Sequence, residues 1–232
     1  MIDYLQKSKT HLFVDELEET IVIAGDDAHH MSRVLRLKIG DKITVASKGN
    51  IREYEISNIS KDEIAIVATK SLEKVSEPEI VLIISLFKID RLEIAVAKAI
   101  EAGASEIVIT KTQYSNVSFE KNKQEKIMAR LNAIIRGASS QSRRSTLPQI
   151  SFEPDLKKVI TKYPNLVICD PEGTGQTPKT PVALLIGPEG GFGENDYEQL
   201  GDKEKWKISE NIYRAETAAI VSVALVSYNS NK

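Results

Sequence analysis

Apolar and polar positions along this chain follow two regimes that meet near residue 73. Before that point the apolar runs are short. Residues 42–46, 51–59 and 63–69 are rich in β-branched side chains and partly alternate. The polar breaks Lys48-Gly49-Asn50 and Ser60-Lys61-Asp62 separate them, as turns separate strands. A short helix is predicted over residues 26–35, with Gly25 or Asp26 as its cap. Residues 73–79, which include Pro78, read as a linker. From there the pattern changes. Residues 80–87 are a continuous apolar run, as in a strand buried on both faces. Leu92, Ala95, Val96, Ala99 and Ile100 then recur at helical spacing, and Ile127, Leu131, Ile134, Ile135 and Ala138 mark a longer amphipathic helix. Further buried strands are expected over 107–110, 166–169 and 182–186, and a last helix over 214–228. Strands alternating with helices predict an α/β domain with a mostly parallel sheet and helices on both faces. The expected division is a small β-rich domain over residues 1–72 and the α/β domain over 73–232.

The last helix is apolar nearly all round. Ala215, Ala218, Ala219, Ser222, Val223 and Val226 form one stripe, and Ile220, Val221, Ala224 and Leu225 fill much of the rest. Such a helix is buried on more than one side. Its small residues admit a close neighbour, either the protein's own backbone or a second subunit.

Composition removes several classes of function. Lys and Arg total 31 against 33 Asp and Glu, so no basic coat surrounds the whole chain, although a local basic patch remains open. The single cysteine, Cys169, excludes an internal disulfide and a multi-cysteine zinc site. Three histidines, two of them adjacent, disfavour a histidine-built metal site. No apolar run approaches the ~20 residues that span a bilayer. The first nineteen residues lack the core of a signal peptide. A cytoplasmic globular protein with no membrane partner is expected.

The strongest candidate for chemistry lies near the C-terminal end. The run Leu184-Leu185-Ile186 leads directly into Gly187-Pro188-Glu189-Gly190-Gly191-Phe192-Gly193. A glycine-rich loop at a strand end is where open α/β sheets bind small molecules. It is not a Walker loop, because the sixth residue from Gly187 is Phe192 and no lysine follows. Nor is it a Rossmann fingerprint, because Asp196 stands where the third glycine belongs. Glu189 and Glu194 would repel a polyphosphate. An acidic, glycine-rich loop suits a ligand that is neutral or positive where it touches. S-adenosylmethionine (SAM), with a sulfonium and an ammonium but no phosphate, fits that description.

About fifteen residues on comes Ile208-Ser209-Glu210-Asn211-Ile212-Tyr213-Arg214-Ala215-Glu216-Thr217-Ala218. Together the two segments closely resemble the paired C-terminal motifs of SPOUT-class RNA methyltransferases. The wording I-G-P-E-G-G-F with a following R-x-E-T-A looks like the small-subunit (16S) rRNA uridine-N3 methyltransferases of the RsmE type. His29-His30 with Arg33-Val34-Leu35-Arg36 and Gly40-Asp41, then Glu101-Ala102-Gly103, then Gln141-Ser142-x-Arg144 with Leu147-Pro148, extend the resemblance over almost the whole chain. Two departures stand out. The family's serine after G-G-F and its following glutamate are Gly193 and Asp196 here, which weakens the helix cap or shifts it to Asn195 with Glu198. The family's S-E-R-S is Thr112-Gln113-Tyr114-Ser115, without the arginine.

The resemblance implies a trefoil-knotted SPOUT domain that binds SAM, a PUA-like β-barrel N-terminal domain that binds RNA, and a homodimer. It places the cofactor against Ile186, Gly187, Pro188, Glu189, Gly190, Gly191, Ile208, Asn211, Ile212, Arg214, Thr217 and Ala218. Backbone groups of Gly187, Gly190, Ile208 and Ile212 are expected to hold the adenine and ribose. Asp170 and Pro171 are further candidates for the cofactor wall. Cys169 reads as core. Arg214 is the first catalytic candidate, as a cation beside the uracil oxygens; its other readings are an ion pair with Glu216 or Glu189 and a contact at the helix start. The proton acceptor is Glu189, Glu216 or solvent. Arg33, Arg36 and Lys38, with Arg143 and Arg144, are the expected contacts to 16S rRNA or the small ribosomal subunit. His29 and His30 pack or touch RNA. Rival readings are a SPOUT enzyme acting elsewhere, such as a tRNA 2′-O-ribose, and an inactive RNA-binding knot protein. A nucleotide hydrolase is disfavoured by the missing lysine.

Overall fold

The computed structural model describes residues 8–71, 76–115 and 121–230; residues 73–75 of the expected linker lie outside the described residues. Contacts divide the chain into two units. One comprises the residues up to Ser76 together with Ser139–Leu147, and the other comprises Glu77–Ala138 and Pro148–Lys232.

The first unit is built on β1 (His11–Phe13), β2 (Thr20–Ala24), α1 (Gly25–His29), β3 (Lys42–Ser47), β4 (Asn50–Ile59) and β5 (Glu63–Ser71). The strands form one sheet in the order β1-β3-β4-β5-β2, with only the β1–β3 pair parallel. The β3–β4 hairpin turns through Lys48 and Gly49, both at positive φ (48° and 84°). Two central residues at positive φ make the tight turn whose twist matches the strands. Ile43, Val45, Tyr54, Ile56, Ile64 and Ile66 form the core beneath, closed by Met31. The predicted helix over 26–35 is in fact two pieces: α1, then a π-helical turn over His30–Val34. Leu35 N–H reaches back five residues to the His30 carbonyl at 3.0 Å.

The second unit runs β6 (Ile80–Ser85), α2 (Ile89–Ala102), β7 (Glu106–Thr110), α3 (Lys121–Gln141), β8 (Gln149–Phe152), α4 (Leu156–Lys162), β9 (Leu166–Thr174), β10 (Val182–Ile186), α5 (Glu194–Leu200), β11 (Lys205–Trp206) and α6 (Ala215–Ser230). All neighbours in its six-stranded sheet, β11-β9-β10-β6-β7-β8, are parallel. Successive side chains enter different cores. Ile80, Leu82, Ile84, Leu184 and Ile186 pack with α2, α3 and α6, whereas Ile83, Ala183 and Leu185 pack with α4 and α5. That is why these strands read as unbroken apolar runs.

Two glycines allow close approaches. Gly103 ends α2 at φ 118°, and a side chain on it would come within 2.9 Å of Ser227 on α6. Gly173 on β9 lies against the backbone of Lys205 and Trp206, where an added carbon would sit 2.5 Å from the Lys205 carbonyl carbon. The first lets α6 pack on α2, and the second lets the two-residue β11 join the sheet edge. The buried stripe of α6 is Ala215, Ala219, Ser222, Val223 and Val226. Leu225 and Tyr228 on α6 and Ile94 on α2 remain exposed. Among the described residues no helix is long and apolar enough to cross a membrane.

Candidate functional site

The chain crosses the C-terminal ends of β9 and β10 in three segments: the end of β9, the glycine loop after β10, and the stretch leading into α6. They enclose a cavity of about 580 Å³. Ligand sites of open parallel sheets occupy this edge. Of the residues expected at the cofactor, Ile186, Gly187, Pro188, Glu189, Gly191, Ile208, Asn211, Ile212, Arg214 and Ala218 line the wall; Gly190 and Thr217 do not. Asp170 and Pro171 line it too. Phe192, Ser209, Glu210 and Tyr213 of the same two motif segments join them, as do Tyr197 and Lys207, which the sequence did not single out.

The loop is shaped by its glycines. Gly191 sits at φ 71°, and its N–H closes a turn on the Pro188 carbonyl at 2.9 Å. Only glycine takes that φ without steric cost. Phe192 folds back beneath Gly187, where a side chain would come within 3.2 Å of the ring.

Charge at the site is organised by a residue that sequence reading missed. Arg91, in the first turn of α2, lies 3.2 Å from Glu189 of the loop and 3.9 Å from Glu216 of α6. One guanidinium therefore ties both ligand segments together. Glu189 and Glu216, the expected ion-pair partners of Arg214, face Arg91 instead. Among the described residues no acid lies within ion-pair distance of Arg214. Arg214 is exposed at the cavity, and its carbonyl accepts Ala218 N–H at 2.8 Å, so it caps α6 rather than lying inside it.

The β9 side of the cavity carries a buried acid. Asp170 accepts the Tyr197 hydroxyl at 2.7 Å and Glu172 N–H at 2.8 Å, and pairs with Lys205 at 3.2 Å. Burial pushes its carboxyl up, but the bonds from Tyr197, Glu172 and Lys205 outweigh burial and hold it below the usual 3.8. Burial and the adjoining Asp170 push the Tyr197 hydroxyl up, which keeps it a donor. Burial likewise pushes the Cys169 thiol up, so it is no nucleophile at neutral pH. A carboxylate with a depressed folded-state value stabilises the fold above its unfolded value. That contribution disappears as pH falls through the folded one. Asp170→Asn is therefore expected to flatten the acid limb of Tm against pH below about pH 5, read by calorimetry. An unchanged acid limb would contradict the assignment.

The two departures from the resembling family meet in space. Asp196 accepts Gly193 N–H at 2.9 Å and Gln113 N–H at 3.0 Å, while Gln113 Oε1 accepts Asn195 N–H at 3.2 Å. Gln113, in the turn after β7, thus supplies the cap that a serine at 193 would provide. A side chain on Gly193 would collide with the Gln113 amide. The cap stays at Gly193 and does not shift to Asn195.

The basic residues of the first unit separate into two groups. Arg33, Arg36 and Lys38 are exposed around the π-helical turn, as are His29 and His30. Of the other two expected RNA contacts, Arg143 is half-buried and Arg144 is buried. The Arg143 guanidinium donates to the Ser8 carbonyl at 2.6 Å and to Thr44 Oγ1 at 3.3 Å. Arg144 is 7% exposed, and its carbonyl meets His11 Nε2 at 2.8 Å. These residues hold Ser139–Leu147 onto the first unit because burial of a guanidinium requires such partners.

Comparison with known proteins gives a consistent picture. The model of the family described as "RNA methyltransferase domain" matches residues 74–227, and that described as "RNA methyltransferase PUA domain" matches residues 23–68. The chain is 26% identical to ribosomal RNA small subunit methyltransferase E of Bacillus subtilis, over 97% of each chain. It is 29% identical to ribosomal RNA small subunit methyltransferase E 2 of Borreliella burgdorferi, over 84% of this chain and 86% of that one. The crystal structure of ribosomal RNA small subunit methyltransferase E from Neisseria gonorrhoeae, bound to SAM, superposes with a TM-score of 0.85 at 22% identity, over 95% of this chain and 98% of that one. That likeness bears on the fold. The PUA-like first unit and the parallel sheet of the second have the architecture the sequence resemblance implied.

Proposed function

The chain belongs to the RNA methyltransferase family, and on that premise we propose that it uses SAM to methylate N3 of a uridine in 16S rRNA, within the small ribosomal subunit or on its way there. The observation that carries the proposal is the convergence of the two C-terminal segments on one cavity, with Arg214 at its wall. The names of the Bacillus and Borreliella relatives support the substrate class.

The residues present suit SAM. A volume of about 580 Å³ lies within the range of small-molecule sites. Asp170, Glu189 and Glu210 on the wall are paired with Lys205, Arg91 and Lys207, so no surplus of either charge dominates it, and the glycine loop has no lysine for phosphate. Backbone groups of Gly187, Ile208 and Ile212 hold the adenine and ribose. When bound, SAM supplies an electrophilic methyl group on sulfur. The chain's own task is to present uridine N3 in line and to stabilise the imide anion. Positioning supplies much of the rate. Arg214 stabilises the negative charge that develops on the uracil oxygens. Arginine is no base at neutral pH. Glu189 and Glu216 are held by Arg91, so they orient the loop and α6, and the N3 proton passes to solvent.

Arg33, Arg36 and Lys38 contact rRNA phosphates, a role suited to arginine. Ile94, Leu225 and Tyr228 on the packed helices α2 and α6 form the face that a second copy covers, giving a homodimer in the cytoplasm. Calorimetric titration with SAM tests the proposal: saturable binding at one site per chain is expected. A folded protein that takes up no SAM would contradict it.

A further inference from the structure

Tyr114 is an exposed aromatic residue beside the cavity to which the chemistry above gives no role. It sits in a tight turn that follows β7. Ser115 N–H donates to the Thr112 carbonyl at 3.0 Å, and the Ser115 hydroxyl accepts Thr112 N–H at 3.1 Å. The turn is latched through Gln113 to the first turn of α5, which directly follows the ligand loop. Gln113 N–H donates to the two Asp196 oxygens at 3.0 and 3.1 Å, and Gln113 Oε1 accepts Asn195 N–H at 3.2 Å. The Tyr114 side chain lies on Gly190, where an added carbon would come within 3.2 Å of its Cβ and 3.4 Å of its Cγ. Both chain neighbours of Gly190, Glu189 and Gly191, line the cavity. Tyr114 itself is outside that wall and 42% exposed. Among the described residues its hydroxyl has no hydrogen-bond partner.

We propose that Tyr114 is the platform on which the target pyrimidine base stacks, forming a base subsite at the rim of the cofactor cavity. The inference rests on the RNA methyltransferase reading above. A base presented to an enzyme loses its neighbours in the RNA stack. An aromatic face restores that contact and tolerates any base, because every base has a π-face. The latch gives the platform its value. A ring fixed to the same loop that lines the cofactor cavity sets the height of the base relative to the methyl group. Productive in-line geometry tolerates little displacement. Arg214 then reads the uracil oxygens while Tyr114 holds the ring.

The test uses the full chain with Tyr114→Phe and Tyr114→Leu, small ribosomal subunits lacking the modification, and SAM. Phenylalanine keeps the stacking face and is expected to hold kcat/KM for subunits within about twofold of wild type. Leucine still covers Gly190 but cannot stack as an aromatic ring. It is expected to lower kcat/KM by about tenfold or more, through kcat as well as KM because the base is both held and positioned, with SAM Kd and Tm as in wild type. Irradiating wild-type enzyme with rRNA in which 5-iodouridine replaces uridine is expected to link the target base to Tyr114, as mapped by mass spectrometry. Leucine matching wild type, or a crosslink elsewhere on an active enzyme, overturns the subsite alone. Leucine weakening SAM binding in step with the rate also overturns it, since that is the signature of a residue that merely covers Gly190. A wild-type enzyme that transfers no methyl group to any RNA overturns the parent reading and the subsite with it.

Discussion

Replacing Arg214 with alanine is expected to lower the rate of methyl transfer by about 100- to 1000-fold, the usual cost of removing one preorganised donor from a developing anion. The reason is its isolation. Two acids that could neutralise it, Glu189 and Glu216, are turned toward Arg91. With no acid among the described residues within ion-pair distance, the guanidinium at the cavity wall is available to the ligand. Arg214→Lys keeps the charge but loses the planar fork, and an intermediate rate is expected. Single-turnover assays with saturating SAM read the chemical step. RNA binding, measured separately by filter retention, should change little because the basic residues of the first unit are untouched. A loss confined to RNA affinity would remove Arg214 from the chemistry.

Replacing Arg91 with alanine is expected to weaken SAM binding by about tenfold and to lower Tm, although Arg91 is not in the cavity wall. Its removal leaves Glu189 and Glu216 facing one another with no cation between them. Glu216 is mostly enclosed, with its side chain 15% exposed, and its Oε2 is buried with no partner among the described residues. The side chains of Arg91 and Glu189 are 31% and 43% exposed, so solvent screens part of the effect. The cost falls between that of an exposed pair and that of an enclosed one, about 1–2 kcal/mol. The loop carrying Gly187 and Gly191 and the start of α6 should separate as a result. Titration calorimetry and thermal melting measure the two effects. A variant with wild-type SAM affinity would show that the two segments hold their positions without Arg91.

Most of the sheet was legible because strands buried on both faces are continuous apolar runs. Residues 182–186 were read with the bounds that β10 has. The missed strands were short. β11 has two residues and β1 has three, too few for any period to show. β2, Thr20–Ala24, did carry an alternating signal through Ile21 and Ile23. The π-helical turn was invisible because it is a single turn of five residues, too short for its wider period to show. The site was legible where its residues are contiguous: two short segments supply most of the cavity wall. It was not legible where residues distant in sequence meet. Arg91 pairs with Glu189 across 98 positions, and Gln113 meets Asp196 across 83. Nothing near Arg91 distinguishes it from any other arginine on an amphipathic helix. Arg143 shows the same difficulty in reverse. In the sequence it resembles a displayed cation, yet the structure spends its guanidinium on Ser8 and Thr44.

The most direct measurement is methylation of unmodified small ribosomal subunits with methyl-labelled SAM, followed by nuclease digestion and mass mapping of the rRNA. The expected result is one labelled uridine in 16S rRNA carrying the methyl group on N3, absent with Arg214→Ala. A label on a ribose 2′ oxygen, on another base, or on no RNA at all from a protein that binds SAM would contradict it.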